Sequence, residues 1–510
     1  MLDEKSENKT FSIEGKGLKL NTAEDVQEYI DSIMEMENLE NVILSGNTFG
    51  VEAIQALASA LKGKNTIKIV NASDIFTGRL KEEIPDSVKA LCDALEDKEI
   101  VELNFSDNAF GPAGAEPMTD FLTNNRTLQV LKLNNNGLGV QGGKLIGKAL
   151  LEAAKKNHEE DRESSLKVFV AGRNRLENGS SQALSDAIAA HNTLVEIRLP
   201  QNGIRSEGII ALSKGLAECK NLEIIDLQDN TFTKTGSESF ADSLTEWKNL
   251  KSLNIGDCLL SQEGGIIIAK KLLLGNNKNL ETLNLQYNEI DKQLLEAAKK
   301  NHEEDRESSL KVFVAGRNRL ENGSSQALSD AIAAHNTLVE IRLPQNGIRS
   351  EGIIALSKGL AECKNLEIID LQDNTFTKTG SESFADSLTE WKNLKSLNIG
   401  DCLLSQEGGI IIAKKLLLGN NKNLETLNLQ YNEIDKHGIS ILASAISTHL
   451  KKLASLELNG NKVYPDDSSI EEIKNALEEI GHKDALGELD DMEVSDSEEE
   501  DVDKNESDAD

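Results

Sequence analysis

Seven histidines could move a proton or hold a metal in this 510-residue chain: His158, His191, His302, His335, His437, His449 and His482. Their surroundings favour neither. None sits in an HExxH pair, none pairs with a serine or acid in a way that reads as a nucleophile and its base, and His302 and His335 repeat His158 and His191. They read as solvated histidines of helices and loops. The cysteines (Cys92, Cys219, Cys258, Cys363, Cys402) are odd in number and lack CxxC spacing, which fits reduced core thiols rather than a disulfide frame or a zinc site. No GxxxxGK[ST] loop occurs, and the glycines of "NNGLGVQGG" read as turn and helix entry, so neither phosphate binding nor a cofactor is expected. What remains is the chemistry of polar groups on a surface. The stretch that stands out is "SDIFTGRLKEEIP", Ser73 to Pro85, which presents Arg79 and Lys81 and breaks a pattern the rest of the chain keeps.

That pattern is a repeat. "LQVLKLNNNGLG" from Leu128, "LVEIRLPQNGIR" from Leu194, "LEIIDLQDNTFT" from Leu222 and "LASLELNGNKVY" from Leu453 all read LxxLxLxxN with an apolar residue two positions on. This is the leucine-rich repeat signature: alternating leucines bury one face of a short strand, and the asparagine can bond backbone groups of adjacent coils. Starts at Leu39, Ile67, Ile100, Leu128, Leu166, Leu194, Leu222, Leu250 and Leu280 lie mostly 28 to 33 residues apart, with one step of 38. Such spacing leaves room for a helix, and "EGIIALSKGLAEC" has the helical period. The expected fold is therefore α/β, a leucine-rich repeat solenoid with strand plus helix per repeat, a ribonuclease-inhibitor-like horseshoe ending in a disordered acidic C-terminal tail.

Residues 150–292 return without a substitution as 294–436, a shift of 144. Identity of that kind marks either a very recent duplication or an error in assembling the gene sequence. The expected organisation is an N-terminal cap over 1–38, the solenoid over 39–464, a capping helix over 465–487 and the tail over 488–510. The tail holds thirteen acidic residues against the single Lys504, so it cannot bury enough apolar surface to fold; its Ser495 and Ser497 suit an acidophilic kinase.

A formal net charge of −32 argues against nucleic acid or an anionic membrane as partner and favours a basic one. No apolar run of about 18 residues exists, and "MLDEKSENKTFSIEG" lacks the features of a signal peptide, so an intracellular protein is expected.

Sorting polar residues by repeat position separates structure from surface. Asn136, Asn174, Asn202 and Asn230 occupy the repeat's own asparagine position and read as structural. Asp107, Asn135, Arg173, Asp229 and Asp257 stand one residue earlier, where side chains project to solvent. In the repeat from Ile67 the asparagine position holds Ile75, followed by Phe76, Thr77, Gly78 and Arg79. Stacking alone does not ask for that change.

Taken together, "FSIEGKGLKL", "LSGNTFG", "SDIFTGRLKEEIP", "SDNAFGP", "NNGLG", "GRNRLENGS", "QNGIR", "LQDNTFT", "LQYNEID" and "GELDDME" before an acidic tail closely resemble the Ran GTPase-activating protein family in its fungal-type form. The resemblance implies an activator with no active site of its own. It would bind Ran-GTP as a monomer, optionally with a Ran-binding protein alongside, and speed hydrolysis in the cytoplasm, supporting nucleocytoplasmic transport. In that family the residue matching Asn135 helps position Ran's glutamine, and the residue matching Arg79 is required without reaching the nucleotide. Lys81 and Asp229 are implied as contacts, Arg173 and Arg175 as further ones; no metal is implied. The family's plant N-terminal targeting domain and vertebrate C-terminal domain are not seen, so no nuclear-envelope anchoring is implied. The competing readings are a non-catalytic acidic leucine-rich repeat binder or chaperone of basic proteins, and an enzyme inhibitor, which would normally be richer in cysteine.

Overall fold

A leucine at every second position of a short segment makes a strand with one buried face, and the repeat supplies one such strand per coil. The computed structural model describes residues 9–274, 277–290, 309–334 and 336–492. The described chain falls into two compact units, one ending at Leu280 and one beginning at Glu281.

In the first unit the strands are β1 (Thr10–Ser12), β2 (Lys19–Leu20), β3 (Asn41–Ile43), β4 (Thr48–Phe49), β5 (Ile69–Asn71), β6 (Glu102–Asn104), β7 (Val130–Lys132), β8 (Val168–Val170), β9 (Glu196–Arg198), β10 (Ile224–Asp226) and β11 (Ser252–Asn254). β1, β3 and β5 to β11 pair in parallel in chain order, and β2 pairs with β4 in a small sheet of its own. The segment expected to be an N-terminal cap thus supplies the edge strand of the main sheet as well as half of the small one. Each central residue, Val42, Val70, Leu103, Leu131, Phe169, Ile197, Ile225 or Leu253, is buried while its neighbours are only partly covered.

Helices complete the coils, and their apolar residues fall at helical period: Ile209, Leu212 and Leu216 of Ser206–Leu216 are all buried. Neighbouring helices approach closely where side chains vanish. A Cβ on Gly147 would lie 2.8 Å from the Ala183 carbonyl, so Gly139–Glu159 could not keep its distance from Glu177–His191 with any other residue there.

The second unit repeats the scheme with β12 (Thr282–Asn284), β13 (Val312–Val314), β14 (Glu340–Arg342), β15 (Ile368–Asp370), β16 (Ser396–Asn398), β17 (Thr426–Asn428) and β18 (Ser455–Glu457), again parallel in chain order. The helix Ser468–Glu479 begins at Asp467, whose carboxylate accepts from Ser469 N as an N-cap. Beyond it the chain returns to the sheet edge, where Leu456 N donates to Ala485 O and Gly487 N to Leu456 O. Disorder was expected from Glu488, yet residues 488–492 are placed. Asp491 accepts from the Tyr431 hydroxyl at 2.7 Å, and its own N–H donates to Asn459 Oδ1. Ser495, Ser497 and the remainder of the tail, like His302 and His335, lie outside the described residues.

All five cysteines are buried and outside any disulfide, and burial raises every thiol pKa, to about 11 at Cys219. Among the described residues, no helix is long and apolar enough to cross a membrane and no cluster of three metal-ligating side chains occurs.

Candidate functional site

The asparagines of the repeat form a continuous internal ladder. Asn136 Nδ2 donates to Leu133 O in its own coil and to Phe105 O in the preceding one, while the Asn174 carbonyl oxygen accepts from Asn136 N and Leu138 N. Asn174, Asn202 and Asn230 donate through Nδ2 in the same way, and all are buried. Removing one leaves buried backbone groups unpaired at about 1–3 kcal/mol. These residues belong to the scaffold.

The residue just before each ladder asparagine is held differently. Asp107, Asn135, Arg173, Gln201, Asp229 and Asp257 all have left-handed backbones, with φ between 51° and 63°. Their N–H groups continue the ladder across coils: Asp107 N donates to Asn134 O, Asn135 N to Gly172 O, Arg173 N to Pro200 O and Asp229 N to Gly256 O, at 2.8–2.9 Å. The chain can leave the strand, keep this bond and admit the buried asparagine next to it only by turning left. The side chains then form a row along one rim, spaced by the roughly 4.8 Å of adjacent strands. Glycine, asparagine and aspartate tolerate that backbone; arginine and glutamine do so at a cost. Gln201 also belongs to this row, although it carries neither charge nor the residue type that signals a left-handed turn.

Within the row Asn135 is exposed, and its Nδ2 donates to Asp107 Oδ1 at 2.9 Å. That bond takes up an amide N–H of Asn135 and ties the side chain to the neighbouring coil. Arg173 and Arg175 are also exposed, whereas Asp229 is half-buried. Behind the rim, Arg198 Nη1 lies 3.8 Å from Asp226, but burial outweighs this pairing and raises the Asp226 carboxyl pKa.

The stretch from Ser73 to Pro85 is anchored first by apolar contact. Ile75 in the asparagine position is fully buried and Phe76 nearly so, Phe76 lying 6.2 Å from the Phe110 ring. Asp74 turns left at φ 49° and accepts from Thr77 Oγ1 at 2.6 Å. The chain then reverses over Thr77 and Gly78, with Arg79 N donating to Phe76 O and Gly78 at φ 80°, which favours glycine. The Arg79 guanidinium makes four hydrogen bonds. Nε donates to Thr48 Oγ1 at 2.9 Å, Nη1 to Asn21 Oδ1 at 2.7 Å, and Nη2 to Thr48 O at 3.0 Å and Leu20 O at 3.2 Å. Arg79 therefore clamps the turn to the end of the β2–β4 sheet. Leu80 and Lys81 follow it into solvent, before the helix Ile84–Leu95 starts with Pro85 in its first turn.

One histidine departs from expectation. His191 is buried at the end of Glu177–His191, not solvated. Its Nε2 donates to Leu150 O at 2.8 Å, which fixes the tautomer and leaves Nδ1 to accept from the Ser164 hydroxyl. Burial lowers its pKa to about 4, so it stays neutral at physiological pH and acts as a tie between coils.

The rim and the clamped turn can recognise a protein surface. The Leucine Rich repeat family matches residues 124–147, 276–293 and 420–443. Curated relatives share a name: the chain is 48% identical over 198 residues to Ran GTPase-activating protein 1 of Xenopus laevis, covering 38% of this chain and 34% of that protein. It is 45% identical over 205 residues to Ran GTPase-activating protein 2 of Caenorhabditis elegans, covering 39% and 21%. It is 39% identical over 209 residues to Ran GTPase-activating protein 1 of Saccharomyces cerevisiae, covering 40% and 51%. The matches thus span from about a fifth to about half of these relatives' lengths.

Proposed function

We propose that this chain is a GTPase-activating protein for the small GTPase Ran, acting on Ran-GTP in the cytoplasm and supporting nucleocytoplasmic transport. The observation that carries this reading is the 39–48% identity, over some 200 residues each, to three proteins named as Ran GTPase-activating proteins in separate organisms.

Small GTPases hydrolyse GTP slowly because the attacking water and the glutamine that orients it are loosely held. An activator needs no reaction centre of its own if it fixes those groups in the transition-state arrangement. On this reading Asn135 is the positioning group. An exposed amide whose orientation is set by Asp107 can present a carbonyl oxygen to the side-chain amide of a glutamine. Arg79 contributes by holding the turn. Its donors point to Asn21, Leu20 and Thr48, an arrangement suited to placing Leu80 and Lys81 against the GTPase rather than to reaching a phosphate. Asp229, Arg173 and Arg175 extend the contact along the rim. Arg79 and Asp229 sit five repeats apart, on the order of 24 Å, which one interface of ordinary size covers.

The same reading makes the chain a monomeric protein-binding module without nucleic acid or cofactor, consistent with a net charge of −32. Single-turnover hydrolysis of GTP preloaded on Ran, measured with substoichiometric and saturating chain, tests it.

A further inference from the structure

The large apolar side chains left mostly in water among the described residues of the first unit are Met34 at 58%, Leu80 at 66% and Leu259 at 52%. A single exposed leucine means little. Leu259 differs because its backbone is wrong for its side chain as well: φ is 45°, in the left-handed region that bulky residues rarely occupy. Two other coils place glycine at the corresponding position, Gly137 at φ 61° and Gly203 at φ 65°. The conformation is fixed from outside. Phe232 N donates to Cys258 O and Thr233 N to Leu259 O, and Cys258 and Leu260 on either side are fully buried. Leu259 cannot turn inward between two buried neighbours, so its side chain projects beyond the rim, two residues after Asp257 and one coil beyond Asp229. A leucine that loses on both backbone and solvation is what a docking surface uses when an apolar anchor matters more than stability.

We propose that Leu259 is an apolar anchor of the docking surface, received by a hydrophobic depression on the GTPase that has basic groups beside it to meet Asp229 and Asp257. This rests on the reading that a Ran-type GTPase docks along the rim of the first unit. Leu403 reproduces the feature in the second unit, with φ 49° and 48% exposure. That unit holds no copy of Arg79 or Asn135, which lie outside the duplicated block.

Leu259→Asn separates anchor from scaffold, since asparagine accepts the left-handed backbone but offers no apolar surface. The expected result in steady-state hydrolysis on Ran-GTP is a KM raised about fivefold or more, kcat unchanged and a thermal midpoint equal to or above wild type. Leu259→Met should keep KM near wild type, as should Leu403→Asn. An unchanged KM in Leu259→Asn overturns the proposal, as does a Leu259→Met variant equally impaired. A KM raised as much by Leu403→Asn overturns the assignment to the first unit. Failure of the wild-type chain to accelerate hydrolysis at all is a different outcome: it removes the function itself.

Discussion

Asn135 and Asp107, 28 residues apart in sequence and one coil apart in space, are joined by a 2.9 Å hydrogen bond from amide to carboxylate. Both have the left-handed backbone of the rim, at φ 55° and 63°, so the pair is built from two turns that the ladder imposes. The bond engages the amide nitrogen, so on the proposed reading the Asn135 carbonyl oxygen is the atom offered to the GTPase. Asn135→Ala should lower the maximal hydrolysis rate on Ran at least tenfold while changing KM little, because the group acts at the transition state. Single-turnover rates at saturating activator check this; a pure KM effect would make Asn135 an ordinary contact.

Arg79 should behave as a clamp. Arg79→Ala removes four hydrogen bonds between the turn and the β2–β4 end, so it should reduce both activation and stability, the latter by about 1–3 kcal/mol. Arg79→Lys should not restore function, since an ammonium cannot span those acceptors as the planar guanidinium does. Asn21→Ala, which touches only the far side of the clamp, should reproduce part of the loss. Full activity in Asn21→Ala, with Arg79→Ala inactive yet as stable as wild type, would place the guanidinium against the GTPase instead.

His191 makes stability depend on pH. Its folded pKa is lowered to about 4, below the ordinary value near 6.5, so the unfolded chain takes up the proton first as pH falls. Its contribution is fully present above pH 6.5 and is lost progressively as the pH drops through that window towards 4, by about 3 kcal/mol at most. Urea denaturation at pH 7.0 and 5.0 should show a fall in stability that His191→Gln reduces. An equal fall in both proteins would assign the pH dependence to other groups.

The duplicated block allows an internal comparison. Asp229 follows the coils that carry Arg79 and Asn135, while its copy Asp373 belongs to the second unit. Asp229→Ala should raise KM several-fold and Asp373→Ala should leave it unchanged. Deletion of residues 294–436 should leave activity largely intact, and a large loss on deletion would contradict the assignment of function to the first copy.

How much of this could be read from the residues divides along periodicity. Strands, helices and the asparagine ladder recur every 28 residues or so, and each recurrence reinforces the reading of Asn136 or Asn202 as scaffold. The left-handed row is hard to read because Arg173 and Gln201 do not advertise a positive φ, and Leu259, two positions beyond Asp257, conceals a second left-handed turn for the same reason. The orientation of Arg79 is not legible because its partners Asn21, Leu20 and Thr48, one and two coils earlier, carry no residue pattern that marks them as acceptors for a guanidinium. His191 closes a helix otherwise patterned like its neighbours, and only the neighbouring Leu150 carbonyl and Ser164 hydroxyl explain why a histidine is buried there. Asp491 is one more tail carboxylate by sequence, and only its hydrogen bonds with Tyr431 and Asn459 set it apart.

On the proposed function, this chain accelerates GTP hydrolysis on Ran by ordering groups Ran already has. The direct measurement is single-turnover hydrolysis of GTP on Ran, and on Ran whose catalytic glutamine is replaced by leucine, each with saturating chain. The account predicts an acceleration of about 10³-fold or more on unmodified Ran and almost none on the substituted GTPase. Unchanged hydrolysis on unmodified Ran would contradict the function, and equal acceleration of both would contradict the mechanism by showing that the chain supplies the catalytic group itself.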